Sequence, residues 1–249
     1  MHLRSTQVLD ALRDEILLGQ YRPGERLPSE RELAARFETS RGAVREALKK
    51  LEQLGIAAIA PGGVRVVAVE EATLDVMGPL LDLHAVPDAI LVDQAIQVLT
   101  LLISESARNF VLVASEAAFA EADDLIDSIL EADPHSHECI DRRMSLGRHF
   151  MSTCGNLPMR LIANGLRINF GEKVRARGFI PQPEPNAVRA GMLKVKEALR
   201  ARDADGAARA MREVMELNRV AMREALEAAG ATRCGLDLIP TAPSKGLKK

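Results

Sequence analysis

The chain has no tryptophan and a single tyrosine, Tyr21, and aromatic residues make up 3% of its 249 positions. With Ala and Leu abundant, that scarcity argues against an all-β sandwich built on aromatic and β-branched strands and favours helices. Cysteine is nearly as rare. Cys139, Cys154 and Cys234 are odd in number, widely spaced and free of any C-x-x-C pattern, which fits a reducing compartment better than a disulfide framework, so a cytoplasmic location is expected. The first residues lack an apolar signal-peptide core. The longest apolar stretch, Ile90 to Ile103, is broken by Asp93, Gln94 and Gln97, so no membrane partner is expected either. Nor does one sign of charge dominate, with 33 Lys and Arg against 35 Asp and Glu.

What is present is an ordinary globular composition, 47% hydrophobic and 27% charged, over a length that suits one large domain or two smaller ones. Residues 1–69 hold 11 of the 33 basic but only 9 of the 35 acidic residues, so the basic excess lies at the N-terminal end. An imbalance that small says little by itself, because where cations are presented matters more than their sum.

Ser5 to Leu18 places Leu9, Leu12 and Ile16 at helical spacing, with Gly19 as a stop. After a turn at Tyr21-Arg22-Pro23-Gly24-Glu25, Ser29 and Glu32 form a capping-box pattern that starts a second helix burying Leu33 and Phe37. Ser40 caps a third helix, from Arg41 to about Leu54. Two short helices joined by a three- or four-residue turn make a helix-turn-helix candidate. In the third helix Val44, Ala47, Leu48 and Leu51 form an inward stripe; at about 100° per residue, Arg41, Arg45 and Lys49 are centred roughly a quarter-turn away. Such a helix can offer arginine to a groove. The alternative is a solvated face whose arginines pair locally, Arg41 with Glu38 or Arg45 with acidic neighbours on its own helix. Ile56 to Ala60, the turn Pro61-Gly62-Gly63, and Val64 to Val69 then read as a β-hairpin, the wing of a winged helix.

From residue 70 the pattern is helical, with segments at about 73–83, 87–111, 115–131, 136–153, 157–176, 187–202 and 204–229, and Pro181-Gln182-Pro183-Glu184-Pro185 as a loop between two of them. The expected fold is mainly α: a winged helix-turn-helix domain over 1–69, an all-α antiparallel helical bundle over 70–230, and a disordered tail over 231–249.

Arg22-Pro23-Gly24-Glu25-Arg26-Leu27-Pro28-Ser29-Glu30-Arg31-Glu32-Leu33-Ala34, followed by Ser40-Arg41-Gly42-Ala43-Val44-Arg45-Glu46-Ala47-Leu48, resembles the GntR family of bacterial transcription regulators. The downstream helices resemble the FCD sensing domain of its FadR-like branch, through Asp141, Gly155-Asn156 and Ala198-Leu199-Arg200-Ala201-Arg202-Asp203. The resemblance implies a homodimer on double-stranded DNA at a palindromic operator, each third helix entering the major groove and each wing reaching the minor groove. It places DNA contacts on Arg31, Ser40, Arg41 and Arg45, with Gly62 and Gly63 at the wing tip. The wing departs from the family's Gly-x-Gly, since Val64 stands where the second glycine belongs.

The sensing region departs further. Many FCD domains hold a divalent metal through Asp-x-x-x-His and two later histidines. Here Asp141 is followed by Ser145, while Met192 and Val214 occupy the later positions, so neither a metal nor another cofactor is expected. Asp141 alone is equally readable as a hydrogen-bond acceptor or a helix N-terminal charge. His135, His137 and His149 leave a different arrangement open, against an ordinary surface or packing role. Where the family carries Arg followed by Leu-Glu, this chain has the apolar run Val98-Leu99-Thr100-Leu101-Leu102-Ile103. An effector pocket lined by Leu99, Ile103, Asp141, Ser145, Met192 and Val214 would favour a small molecule with an apolar chain, a fatty acid or an acyl thioester; the alternative is that these residues are bundle core. No G-x-S-x-G, P-loop, dinucleotide fingerprint or HExxH is present, so the chain reads as a regulator rather than an enzyme. Two other readings stay open, a constitutive DNA-binding protein whose bundle only dimerises and an enzyme with an accessory winged helix.

Overall fold

The computed structural model describes residues 2–231, which leaves Cys234 and all but the first residue of the expected tail outside the described residues. The chain divides into two compact units, the first running to Asp88 and the second starting at Ala89. Residues 70–88 thus group with the N-terminal unit, whereas the expected boundary lay at 69. Each unit has its own core.

The first unit begins with α1 (His2–Leu17), followed by α2 (Glu30–Arg36) and α3 (Arg41–Gln53). Val8, Leu12 and Ile16 of α1, Leu33 of α2, and Val44, Ala47, Leu48 and Leu51 of α3 are buried; Leu9 and Phe37, expected on the same inward stripes, are only half-buried, and Val8 takes the inward place on α1. The Ser29–Glu32 capping box forms as expected: the Ser29 oxygen accepts from the Glu32 amide at 3.3 Å, and the Ser29 amide donates to Glu32 Oε2 at 2.8 Å. Arg36 at the end of α2 donates to Glu15 Oε2 of α1 at 3.0 Å. The wing is the antiparallel pair β1 (Ala57–Ala60) and β2 (Gly63–Val66), in the register Ala57 opposite Val66 and Ala60 opposite Gly63. The second strand therefore takes in Gly63 and ends at Val66, short of the expected Val69, because Val69–Glu71 closes into a 3-10 turn. The helix expected over 73–83 is shorter for the same kind of reason. Leu74–Val76 is a 3-10 turn, and only α4 (Met77–Asp82) is α-helical.

The second unit contains α5 (Ala89–Val113), α6 (Glu116–Glu131), α7 (His137–Thr153), α8 (Leu157–Leu166), α9 (Glu172–Ala176), α10 (Pro185–Arg200) and α11 (Ala204–Ala228). The span 157–176 was expected as one α-helix; Arg167–Gly171 winds instead as a π stretch between α8 and α9. Serines cap α6 and α7, while Glu184 caps α10 through the Asn186 and Ala187 amides with Pro185 in the first turn. The core gathers Phe110, Phe119 and Phe150, with ring centroids 4.8 and 5.0 Å from Phe110, around Ile126, Leu146, Val195 and Met211. Helix α5 is the one described helix long and apolar enough to cross a membrane by length and composition. It packs along α11 and α7 and buries Val92, Ile96, Ala107 and Phe110.

Candidate nucleic-acid interface

The turn between α2 and α3 is tight. Glu38 takes a positive φ of 48°, which a non-glycine residue rarely adopts, and the Thr39 hydroxyl is buried without a partner. Ser40 then starts α3, its side-chain oxygen accepting from the Ala43 amide at 3.2 Å, which leaves the hydroxyl proton free to donate. Because Ala43, Val44, Ala47 and Leu48 face inward, Ser40, Arg41, Arg45 and Lys49 are turned to the surface, and Arg31 on α2 is exposed as well. Arg31 and Arg41 make no side-chain hydrogen bond among the described residues. Arg45 behaves differently. It is held fork to fork by Glu30 of α2, Nε to Oε1 at 2.9 Å and Nη2 to Oε2 at 2.7 Å. The local pairs considered for the arginine strip are thus corrected: Arg45 pairs across the two helices, not along its own.

At the wing, Pro61 and Gly62 occupy the two central turn positions, with Gly62 at φ +102° as a type II turn requires, and a Cβ there would meet open space. Gly63 was expected at the tip and lies instead in β2, at φ +124°, with the Arg26 guanidinium against it. A Cβ on Gly63 would fall 2.5 Å from Arg26 Nε. The segment carrying Arg26 is itself laid along β2, with the Leu27 amide donating to the Val64 carbonyl at 2.9 Å and the Val66 amide to the Glu25 carbonyl at 2.9 Å. Arg26 thus lies against Gly63 and opposite Arg65 of β2, a placement the sequence reading missed.

The six residues expected to line an effector pocket stand in different surroundings. Met192 and Val214 are 1% exposed and sit within the hydrophobic core. Ile103 is half-buried against that core, and Leu99 is half-buried on α5. Asp141 is exposed and engaged by Arg175 Nη1 at 2.7 Å, which holds its carboxyl below the usual carboxylate range. The Ser145 hydroxyl donates to the Asp141 carbonyl at 2.8 Å. His149 bonds the Ala118 carbonyl through Nε2 at 2.9 Å, with Glu121 3.4 Å from Nδ1, while His135 and His137 are exposed.

Residues 4–67 match the profile of the bacterial regulatory proteins of the gntR family, and residues 94–217 match that of the FCD domain. The chain belongs to the GntR family. The HTH-type transcriptional regulator Mce2R of Mycobacterium tuberculosis is 29% identical to it over 222 residues, 85% of this chain and 88% of that protein. An uncharacterized HTH-type transcriptional regulator of Mycobacterium bovis, Mb0601, matches with the same values. Among solved structures, Lar, which controls the expression of the agr system of Listeria monocytogenes, shares the fold: TM-score 0.50 at 15% identity, over 88% of this chain and 96% of that one.

As a GntR-family transcription regulator with an FCD domain, the chain has a DNA-binding unit and a unit for a small-molecule effector. The exposed arginines can fork onto guanine O6 and N7, while the Ser40 hydroxyl and the first amides of α3 suit phosphate. The residues present do not fit the metal that many FCD domains hold. Asp141 is taken by Arg175, Ser145 is bonded to its own helix, Met192 and Val214 are apolar and enclosed, and among the described residues no three His, Cys, Asp or Glu side chains gather.

Proposed function

We propose that this chain is a ligand-responsive, non-catalytic transcription regulator that acts in the cytoplasm and grips a palindromic operator as a homodimer. The observation that carries the reading is the surface-turned N-terminal end of α3, where Ser40, Arg41 and Arg45 are exposed on a helix whose Ala43, Val44, Ala47 and Leu48 are buried, with Arg31 exposed on α2. In this reading Gly62 brings the wing backbone close to the minor groove. A second copy is supported by apolar side chains left in solvent on α5 and α8, which touch: Leu101, Leu112, Leu157 and Leu161 are all more than half exposed. The effector is an acid or thioester with an apolar chain, bound in the helical unit, where it biases two arrangements of the dimer.

Fluorescence anisotropy on promoter fragments flanking the gene tests this reading. Specific binding should weaken steeply and log-linearly with salt, and Arg41→Ala should abolish discrimination between fragments. Equal, salt-insensitive binding to every fragment would overturn it. The enclosure of Met192 and Val214 favours a second reading, a constitutive DNA-binding protein with a filled bundle. A thermal-shift screen of fatty acids, acyl-coenzyme A species, sugar acids and divalent metals separates the two, since a ligand selective for the folded protein raises its melting temperature.

A further inference from the structure

Arg26 lies opposite Arg65 in an antiparallel bridge, so the two side chains start from the same face of the wing sheet. Like charges placed directly across a ladder cost stability unless they separate. These two do. Arg65 crosses back to Gly24, its Nη1 donating to that carbonyl at 2.8 Å, while Arg26 crosses the other way, towards the turn, and lies against Gly63. Nε, Nη2 and Cζ of Arg26 stand 2.5, 2.9 and 3.0 Å from where a Cβ on Gly63 would be, so the guanidinium occupies space that only a glycine leaves. Gly63 thus serves as the seat of a side chain.

Arg26 is exposed and makes no side-chain hydrogen bond or ion pair among the described residues. The carboxylates around the wing are committed elsewhere. Glu25 accepts from the Arg22 amide at 2.8 Å, Glu32 from the Ser29 amide at 2.8 Å, and Glu52 from the Ile59 amide at 2.9 Å. Opposite Arg65 and Gly63, β1 offers only Ala58 and Ala60. A long side chain held in one place with its five donors unused is ready for a ligand, and the ligand it suits is an anion. Position selects which anion. Gly63 directly follows Gly62, the turn residue that the operator-binding reading brings to the minor groove, and the rims of that groove are phosphate. We propose that Arg26 is the wing's contact to a DNA backbone phosphate, and that Gly63 acts on DNA only through it, as the positioning residue that keeps the guanidinium beside the tip. The inference rests on the operator-binding reading and deepens it. It replaces the DNA contact implied for Gly63 with one carried by a side chain, and it makes this part of the wing indifferent to base sequence.

The test is fluorescence anisotropy of the full-length protein on a promoter fragment and on a scrambled duplex of the same length, across a salt series. Loss of one phosphate contact from each wing of a homodimer should flatten the log–log salt dependence of Arg26→Ala by about two units. Both duplexes should weaken by the same factor, roughly tenfold or more at low salt. Arg26→Lys keeps a cation and should keep most of the slope, and Arg26→Gln gives the uncharged comparison should alanine loosen the wing. Gly63→Ala should flatten the slope in the wild type and change it no further in Arg26→Ala. An unchanged slope in both uncharged variants, a loss confined to the promoter fragment, or a further loss from Gly63→Ala in the Arg26→Ala chain each overturns the assignment. Inorganic phosphate added without DNA at constant ionic strength separates the other source of the same anion. A rise in melting temperature that Arg26→Ala abolishes, with the salt slope intact, would make this a site for free phosphate and overturn the DNA contact. Failure of the wild type to bind any duplex sinks the regulator and the contact together, whereas sequence-selective binding with an undiminished slope in the variants sinks the contact alone.

Discussion

Arg45 and Glu30 lie fork to fork across the helix-turn-helix, so the Nε–Nη2 edge that would read guanine is already filled by a carboxylate. The same bond holds Glu30 below the usual carboxylate range. Both side chains keep solvent access, 61% for Arg45 and 34% for Glu30, so the pair is exchangeable rather than structural. Contact between Arg45 and a base requires that exchange, and the freed Glu30 then faces the phosphates. Glu30→Gln is therefore expected to tighten DNA binding several-fold at low salt and to steepen its salt dependence by about one unit of slope. Arg45→Ala is expected to weaken specific binding roughly tenfold or more with little change on non-specific sequence. Anisotropy titrations across a salt series read both; weaker binding by Glu30→Gln would show that the pair orients Arg45 for DNA instead of competing with it.

Gly63 and Arg26 make a second dependence, in the wing. Gly63→Ala meets a positive φ of 124° and a guanidinium 2.5 Å from the new Cβ, and is expected to destabilise the wing by about 1–3 kcal/mol. Arg26→Ala in the same chain removes the clash and leaves the backbone strain, so the double variant should recover only part of the loss. Amide exchange of Leu27 and Val66 reports this locally, because those two amides donate across the pairing of β2 with the Arg26 segment. Full recovery in the double variant would mean that φ plays no part.

The contrast between these residues and the ones legible in the sequence is one of distance along the chain. The Ser29–Glu32 box, the Ser40 cap and the Val44–Leu51 stripe are patterns of three to seven residues, and local geometry dictates them before any packing occurs. The Arg45–Glu30 pair spans 15 residues, and the bonds that lay the Arg26 segment along β2 span 37 and 41; no periodicity marks either. In the helical unit, the sequence located the helices but not which way Met192 and Val214 face, because that depends on how closely α10 approaches α11.

That approach of α10 to α11 is itself testable. A Cβ on Gly191 would fall 2.5 Å from Val214 Cγ2, so the glycine sets the helix separation and Val214 fills the space it leaves. Gly191→Ala is expected to destabilise the helical unit by about 1–3 kcal/mol through overpacking. Val214→Ala alone should lose about the same through a cavity, and the two together should be less damaging than their sum. Urea midpoints for the four proteins give the coupling. Strict additivity would mean that the helices move apart instead of clashing.

The acid limb of stability should carry a signature from Asp123. The side-chain bond from Arg200, at 2.9 Å to Oδ2, and the nearby charge of Lys196 hold the Asp123 carboxyl below its ordinary value of 3.8. A carboxyl depressed in the folded state binds fewer protons there than in the unfolded chain. Its contribution is therefore complete above the unfolded value and disappears as pH falls through the lower folded one. Asp123→Asn should lower the urea midpoint at pH 6, differ less from the wild type below about pH 4, and match it near pH 2. Because Arg200 is 65% exposed, raised salt should shrink the pH 6 difference, whereas the Lys196 share, from an ammonium only 11% exposed, should persist. A gap between the two proteins that stayed constant from pH 6 to pH 2 would assign the loss at Asp123→Asn to packing, not to charge.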